Sequence, residues 1–218
     1  MASSGPDFPV MPNLTADQAL TRLRDGNAAF VRNVQEGQSF DLLTRACDLG
    51  QPQRPCAIIL GCSDARVPAE LVFQQGLGDL FVIRVAGHVV APSQIGSVEF
   101  AVAQYGVRLV VVLGHTSCGA VQATLDSLRE PRQDTTANLR SIVTRIQPAI
   151  AGLLSLSPLP DDATLMRAAV RANVWAAVGH LRTGSQLLET LIDDDLRVVG
   201  AEYDLETGTV IFLDDPLA

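Results

Sequence analysis

The sequence predicts an α/β fold: a mainly parallel central sheet, with four parallel strands and an antiparallel C-terminal edge strand, flanked by helices. Three observations carry this reading. Residues 56–61, 80–86 and 108–114 are short Val/Ile/Leu-rich runs without clean alternation, as expected of strands buried on both faces. Helix-like stretches lie between them, which sets up parallel crossovers. The tail pairs a strand at 197–203 with one at 209–213 across a turn at Glu206-Thr207-Gly208, a closing hairpin.

The elements follow in order. Residues 1–13, rich in Ser, Gly and Pro, read as a loose tail, and residues 14–218 as a single domain without repeats or low-complexity linkers. Thr15-Ala16-Asp17-Gln18 is a capping box opening a helix over about 15–33. Leu20, Leu23, Asn27, Phe30 and Val31 share one face of it. Shorter helices are expected near 68–74 and 93–105. From Asp134 a longer one buries Leu139, Ile142, Val143, Ile146, Ile150, Leu153 and Leu154, with a kink at Pro148. Another follows "SPLPDD" and buries Met166, Val170, Val174, Ala177, Val178 and Leu181. Ser185 caps a last helix that ends in Asp193-Asp194-Asp195.

Composition narrows the function. With 218 residues, 47% of them apolar, the chain can build one full core. A charged fraction of 18% and a mean hydropathy of +0.22 suit a protein that also buries surface in an oligomer. The net charge is −8, and all 16 basic residues are Arg, scattered along the chain. Phosphate-backbone binding needs a clustered basic patch, so nucleic acid is not an expected partner. No basic amphipathic helix points to a membrane surface, and runs such as Leu109–Leu113 are far below the roughly 20 residues of a spanning helix. "MASSGPDFPVMPN" lacks the features of a signal peptide, so the expected compartment is the cytoplasm. The four cysteines, at 47, 56, 62 and 118, are then not expected to form a disulfide framework, and they contain no CxxC pair.

Reactive groups of such sheets gather beyond the carboxyl ends of the strands. Two strands here end in chemically loaded loops, Gly61-Cys62-Ser63-Asp64-Ala65-Arg66 and Gly114-His115-Thr116-Ser117-Cys118-Gly119. Each opens with a glycine, which lets the backbone turn tightly off the strand. His115 and Cys118 are three apart at a strand-to-helix turn, and Cys62 joins them from the other loop. Three N/S ligands of this kind suit Zn2+, one ion per chain. Cys47 and Cys56 read as packing residues and His180 as an ordinary polar group, so no fourth protein ligand presents itself. An open fourth position is the mark of a catalytic zinc, whose bound water ionises near neutral pH. Asp64, held ionised by Arg66, can then orient the hydroxide. Two other readings stand beside this one: a non-catalytic zinc- or anion-binding module, and a Cys62 nucleophile with His115 as base, which leaves Cys118 without a role.

"CSDAR" is similar to the C-x-D-x-R motif of β-class carbonic anhydrases, and "GHTSCGAV" to their H-x-x-C-G motif. "LRDGNAAF", "VPAELVFQQGLGDLFVIRVAGHVV", "GSVEFAV" and "VVGAEYDLETG" resemble further family segments in family order, so the likeness runs from about Leu14 to Phe212. The resemblance implies reversible hydration of CO2 to bicarbonate and a proton. It implies zinc on Cys62, His115 and Cys118, and a catalytic dyad of Asp64 and Arg66. The water pKa of about 7 belongs to the three-histidine class and is carried here by analogy. Substrate contacts would come from Gln53, matching a pocket glutamine donated across a dimer interface, from Phe81 as an aromatic wall, and from backbone amides near Gly119. The pocket tyrosine of the plant-like subtype falls on Phe100, which lacks the hydroxyl.

The family usually forms homodimers or homotetramers in which the N-terminal helix, here about 15–33, packs on a partner. A second subtype lets the aspartate replace water on zinc and binds regulatory bicarbonate with a Trp, an Arg and a Tyr. This chain has Ile59, Arg84 and Tyr203 at those positions, which predicts an open site near neutral pH with Asp64 on Arg66. His88 is a candidate proton shuttle provided it faces the site mouth. Some relatives hydrolyse carbon disulfide or carbonyl sulfide, and the two motifs do not exclude those substrates.

Overall fold

The computed structural model describes residues 14–37, 52–130, 136–192 and 195–213. The expected tail, Cys47, Asp134, Asp193 and Asp194 lie outside the described residues. The sheet has the order β2-β1-β3-β4-β5, with β1 Ala57–Gly61, β2 Leu80–Arg84, β3 Leu109–His115, β4 Arg197–Tyr203 and β5 Val210–Leu213. The first four are parallel and β5 is antiparallel to β4, as the sequence predicts. Seven helices are described: α1 Ala16–Gln35, α2 Ala69–Val72, α3 Pro92–Tyr105, α4 Gly119–Arg129, α5 Ala137–Ile150, α6 Asp162–Thr183 and α7 Gln186–Ile192.

Alternate strand residues feed two cores. Ile59, Val111, Leu113 and Ala201 point to one face of the sheet, where they meet Leu20, Leu23 and Phe30 of α1 and Phe73 after α2. Ile58, Leu60, Val110, Val112 and Val198 point to the other, against α3 and against Val174, Val178 and Leu181 of α6. Burial on both faces explains why the strands read as continuous apolar runs. The capping box forms: Thr15 Oγ1 accepts from the Gln18 amide at 3.3 Å and Gln18 Oε1 from the Thr15 amide at 3.0 Å. Within the chain, the apolar face of α1 is thus filled by its own sheet. The buried Asn27 adds polar stitches, donating to the carbonyls of Val72 and Gly208 and accepting from the Val210 amide.

A third cluster builds the side of the molecule that matters for chemistry. Val121 and Leu125 of α4, Ile146 and Ile150 of α5, and Leu165 and Val170 of α6 pack around Cys62 and Cys118. Pro148 lies inside α5, and directly after that helix the chain tightens into a 3₁₀ turn over Ala151–Ser155. Ile142, Val143, Leu153, Leu154 and Met166 of the expected core are half-buried, and Leu139, in the first turn of α5, is 58% exposed. It stands on the rim of a cleft of about 360 Å³ between α4 and α5, also lined by Ala86, Gly119, Ala120 and Ile142.

Candidate metal centre and active site

Strand register brings the two loops together. β1 pairs with β3 so that Gly61 lies opposite Leu113, which places Cys62 level with the last residues of β3. His115 is the final residue of β3, and Cys118 is the N-cap of α4. The ligand atoms of Cys62, His115 and Cys118 all lie within 4.8 Å of one another, and all three residues are buried. The glycines that open the loops do not act as expected. A Cβ at Gly61 would meet only Leu113 O at 3.9 Å, an ordinary contact. At Gly114 it would come 2.5 Å from Val174 Cγ2, so this glycine admits α6 to the sheet instead of freeing a turn. The turn itself falls on Ser117, with φ +56°.

His115 reports what the cluster is for. Its Nδ1 lies 2.9 Å from the Thr116 carbonyl, which accepts the ring proton and so assigns the lone pair to Nε2. Nε2 is buried and has no hydrogen-bond partner. An orphan acceptor at this depth costs about 1–3 kcal/mol unless something binds it. The imidazole is therefore oriented by one nitrogen and ready to ligate with the other, the arrangement typical of metal-bound histidines.

The two thiols share one proton. The hydrogen bond from Cys118, opposed by burial and aided by His115 and the Gly87 amide, holds the Cys62 thiol well below its ordinary range. The same hydrogen bond and burial push Cys118 up, although the amides of Val121 and Ala120 at the start of α4 favour its thiolate. The pairing favours a thiolate on Cys62, and a cation bound between the sulfurs would displace the proton. Two thiolates and a neutral imidazole form a donor set that fits a divalent, borderline-soft metal.

Asp64 and Arg66 flank this cluster. Asp64 accepts from Arg66 Nε at 2.9 Å and from Nη2 at 2.7 Å, a bidentate pair, and Oδ1 also accepts from the Arg66 amide at 3.0 Å. The Arg66 side chain, foremost, holds the carboxyl well below the usual carboxylate range. Oδ2 lies 4.0 Å from His115 Nε2. Arg66 is 59% exposed, so the pair sits where the cluster meets solvent. A cavity of about 450 Å³ opens there, lined by Arg66, Thr116, Ser117, Arg167 and Glu202 among others.

The remaining expected residues lie in several places. Gly119 is exposed at the first position of α4, directly before the Ala120 and Val121 amides that face Cys118. Gln53 donates to the Tyr105 hydroxyl at 2.7 Å, within its own chain. Tyr105 packs edge-on to Phe100 and tilted on Phe81, so the aromatic wall has a hydroxyl at 105 although position 100 has none. Sequence reading missed Tyr105; its position at the end of α3, five residues after Phe100, was the available signal.

His88 does not occupy the solvent-facing position that a proton shuttle requires. It is fully buried, and burial pushes its pKa down to about 4. The residues at the regulatory-pocket positions are engaged elsewhere. Ile59 is fully buried, Tyr203 is tilted against Phe30, and Arg84 donates to the carbonyls of Cys62 and Asp64, fixing the loop that carries them. Cys56 is buried in the core and His180 is exposed near the end of α6. No described helix is long and apolar enough to cross a membrane.

Known proteins resemble this chain in sequence and in fold. The family model described as carbonic anhydrase matches residues 57–210. A carbonic anhydrase of Mycolicibacterium smegmatis is 49% identical over 205 residues, covering 92% of this chain and 94% of that protein. The solved structure of the β-carbonic anhydrase CcaA superposes with a TM-score of 0.67 at 25% identity, covering 92% of this chain and 87% of that one. A tetrameric β-carbonic anhydrase of Sordaria macrospora has the same fold, with a TM-score of 0.69 at 22% identity over 91% of this chain and 98% of its own. By sequence and by fold, this chain belongs to the carbonic anhydrase family, in its β class.

Proposed function

We propose that the protein catalyses the reversible hydration of CO2 to bicarbonate and a proton, with one Zn2+ held by Cys62, His115 and Cys118. The observation that carries this reading is the buried, unpartnered Nε2 of His115, facing two thiols within 4.8 Å. Bound there, zinc supplies Lewis-acid activation of water near neutral pH.

The rest of the chemistry belongs to the chain. Arg66 keeps Asp64 ionised and fixes the direction of its carboxylate. A carboxylate so held accepts a hydrogen from the attacking oxygen and turns that oxygen's lone pair toward the carbon of CO2. Because both of its oxygens are already gripped by Arg66, Asp64 stays a partner of the nucleophile and does not close the metal's coordination. Arg84 contributes by pinning the backbone between Cys62 and Asp64, which keeps ligand and dyad in register. The Gly119 amide at the start of α4 favours negative charge on bicarbonate. Phe81, Phe100 and Tyr105 offer an apolar surface, with the Gln53 amide at its edge.

The assembly belongs to the same reading: a homodimer or homotetramer in the cytoplasm. A charged fraction of only 18% and the tetrameric state of the Sordaria macrospora protein support an oligomer. Stopped-flow CO2 hydration by the zinc-loaded protein tests the activity. Turnover that vanishes with chelation and returns with zinc is expected. Zinc-loaded protein that leaves CO2 hydration at the buffer rate would overturn the reading.

A further inference from the structure

Asn173 lies on the buried face of α6, only 4% exposed, and the site as described so far makes no use of it. Its side-chain amide donates to the Gly87 carbonyl at 2.9 Å and contacts His88 Nε2 at 2.9 Å. These two partners form an unusual piece of backbone. Gly87 has φ +64° and His88 φ +43°, two successive residues in the left-handed region. A histidine there is strained, and such a conformation persists only where the surroundings over-determine it. Gly87 cannot give way either, since a Cβ would come 2.8 Å from Ile146 Cδ1 and 2.9 Å from Ala120 Cβ.

The strained turn has one product that bears on chemistry. Its Gly87 N–H donates to Cys62 Sγ at 3.3 Å. Asn173 is the polar side chain that holds both halves of the turn, at the carbonyl of one residue and the ring of the next. His88 needs to be neutral to accept at Nε2, which agrees with its enclosure. Its role is then a link in this chain of contacts.

We infer that Asn173 is a positioning residue of the metal site: by clamping the Gly87–His88 turn it aims the Gly87 N–H at the Cys62 sulfur and limits the charge that this thiolate donates. The inference rests on the reading of Cys62 as a metal ligand. Withdrawing such an outer hydrogen bond raises the energy of the sulfur lone pairs and loosens the geometry of the ligand.

The test uses the full chain loaded with Co2+, whose thiolate-to-cobalt charge-transfer band reports the sulfur directly, and zinc affinity from chelator competition. Asn173→Leu, near-isosteric without the donor, should move the band to lower energy and weaken zinc binding on the order of 10- to 100-fold. Leu181→Ala, a core truncation on the same helix within the opposite cluster, should destabilise the protein and leave the band in place. In protein loaded with 113Cd, the scalar coupling between the metal and the Gly87 amide proton should be present in the wild type and lost or reduced in Asn173→Leu. Should that variant not fold, Asn173→Ser must move band and coupling in the same direction. An unmoved band with unchanged affinity in the Asn173 variants, or an equal shift in Leu181→Ala, overturns the inference. A wild-type protein with no charge-transfer band would instead defeat the metal reading on which it rests.

Discussion

Arg66 grips both oxygens of Asp64, at 2.9 and 2.7 Å, from two residues along the same loop. On the proposed function, this short-range pair is what separates a metal clip from a hydration catalyst. Asp64→Asn keeps the shape and removes the charge. It should lower CO2 hydration on the order of 10²-fold while zinc content stays at one per chain. Arg66→Ala should cost about 10- to 100-fold by freeing the carboxylate. Because Arg66 holds Asp64 well below the usual carboxylate range, Asp64 is ionised throughout the neutral region. The pH profile of turnover between pH 6 and 9 should therefore contain no inflection that Asp64→Asn removes. Stopped-flow measurements across that range check all three statements.

Metal removal should be felt in the fold. Cys62 and Cys118 belong to the cluster that joins α4, α5 and α6, so the ligands and the core share one environment. A ligand present at 1,000 times its Kd stabilises the native state by about 4 kcal/mol. For a chain of this size that corresponds to a shift in Tm on the order of 10 °C. Chelation should lower the melting transition by that amount and zinc should restore it. Cys118→Ser should melt low whether or not zinc is added.

Gly114 faces α6 at closer range than any other side chain permits. Gly114→Ala would place a methyl 2.5 Å from Val174 Cγ2 and 3.3 Å from Val170 Cγ1. Overpacking of this kind costs about 1–3 kcal/mol. Because His115 is the next residue, the strain should also displace a ligand. The expected result is lower stability together with weaker zinc binding, read by denaturant titration and chelator competition.

His88 predicts an acid-labile step. Its folded pKa is depressed to about 4 by burial, against about 6.5 for an unperturbed imidazole. The unfolded chain therefore binds a proton that the native chain does not over the window between those values. Stability is fully present above pH 6.5 and falls as pH drops toward 4, at a slope of up to about 1.4 kcal/mol per pH unit. Urea titrations from pH 7 to 4.5 should show His88→Gln with a flatter slope than wild type. Equal slopes would mean that the enclosed imidazole takes up no proton on unfolding.

Legibility in the sequence followed range along the chain. The strands, the capping box of α1 and the two loaded loops are local patterns, and the structure has them within a residue or two. Cys62, His115 and Cys118 converge because parallel register sets Gly61 beside Leu113, a consequence of the same apolar runs that reveal the strands. Contacts between distant segments were not readable. Asn173 meets Gly87 and His88 across 86 and 85 residues, and Arg84 reaches the Cys62 carbonyl across 22. Nothing periodic marks such polar contacts, which depend on where whole helices come to rest. His88 looked available because an isolated histidine after a strand carries no sign of enclosure; α6 supplies it. Leu139 looked buried because helical spacing gives the face a side chain occupies, and not how far its neighbour extends.

The most direct test of the account is a crystal structure of the zinc-loaded protein near pH 7.5, with anomalous scattering to locate the metal. It should place one zinc per chain on Cys62 Sγ, His115 Nε2 and Cys118 Sγ, with Asp64 still paired to Arg66 and the fourth position left to solvent. Asp64 bound to zinc as the fourth ligand at that pH, or zinc held by any other set of residues, would contradict it.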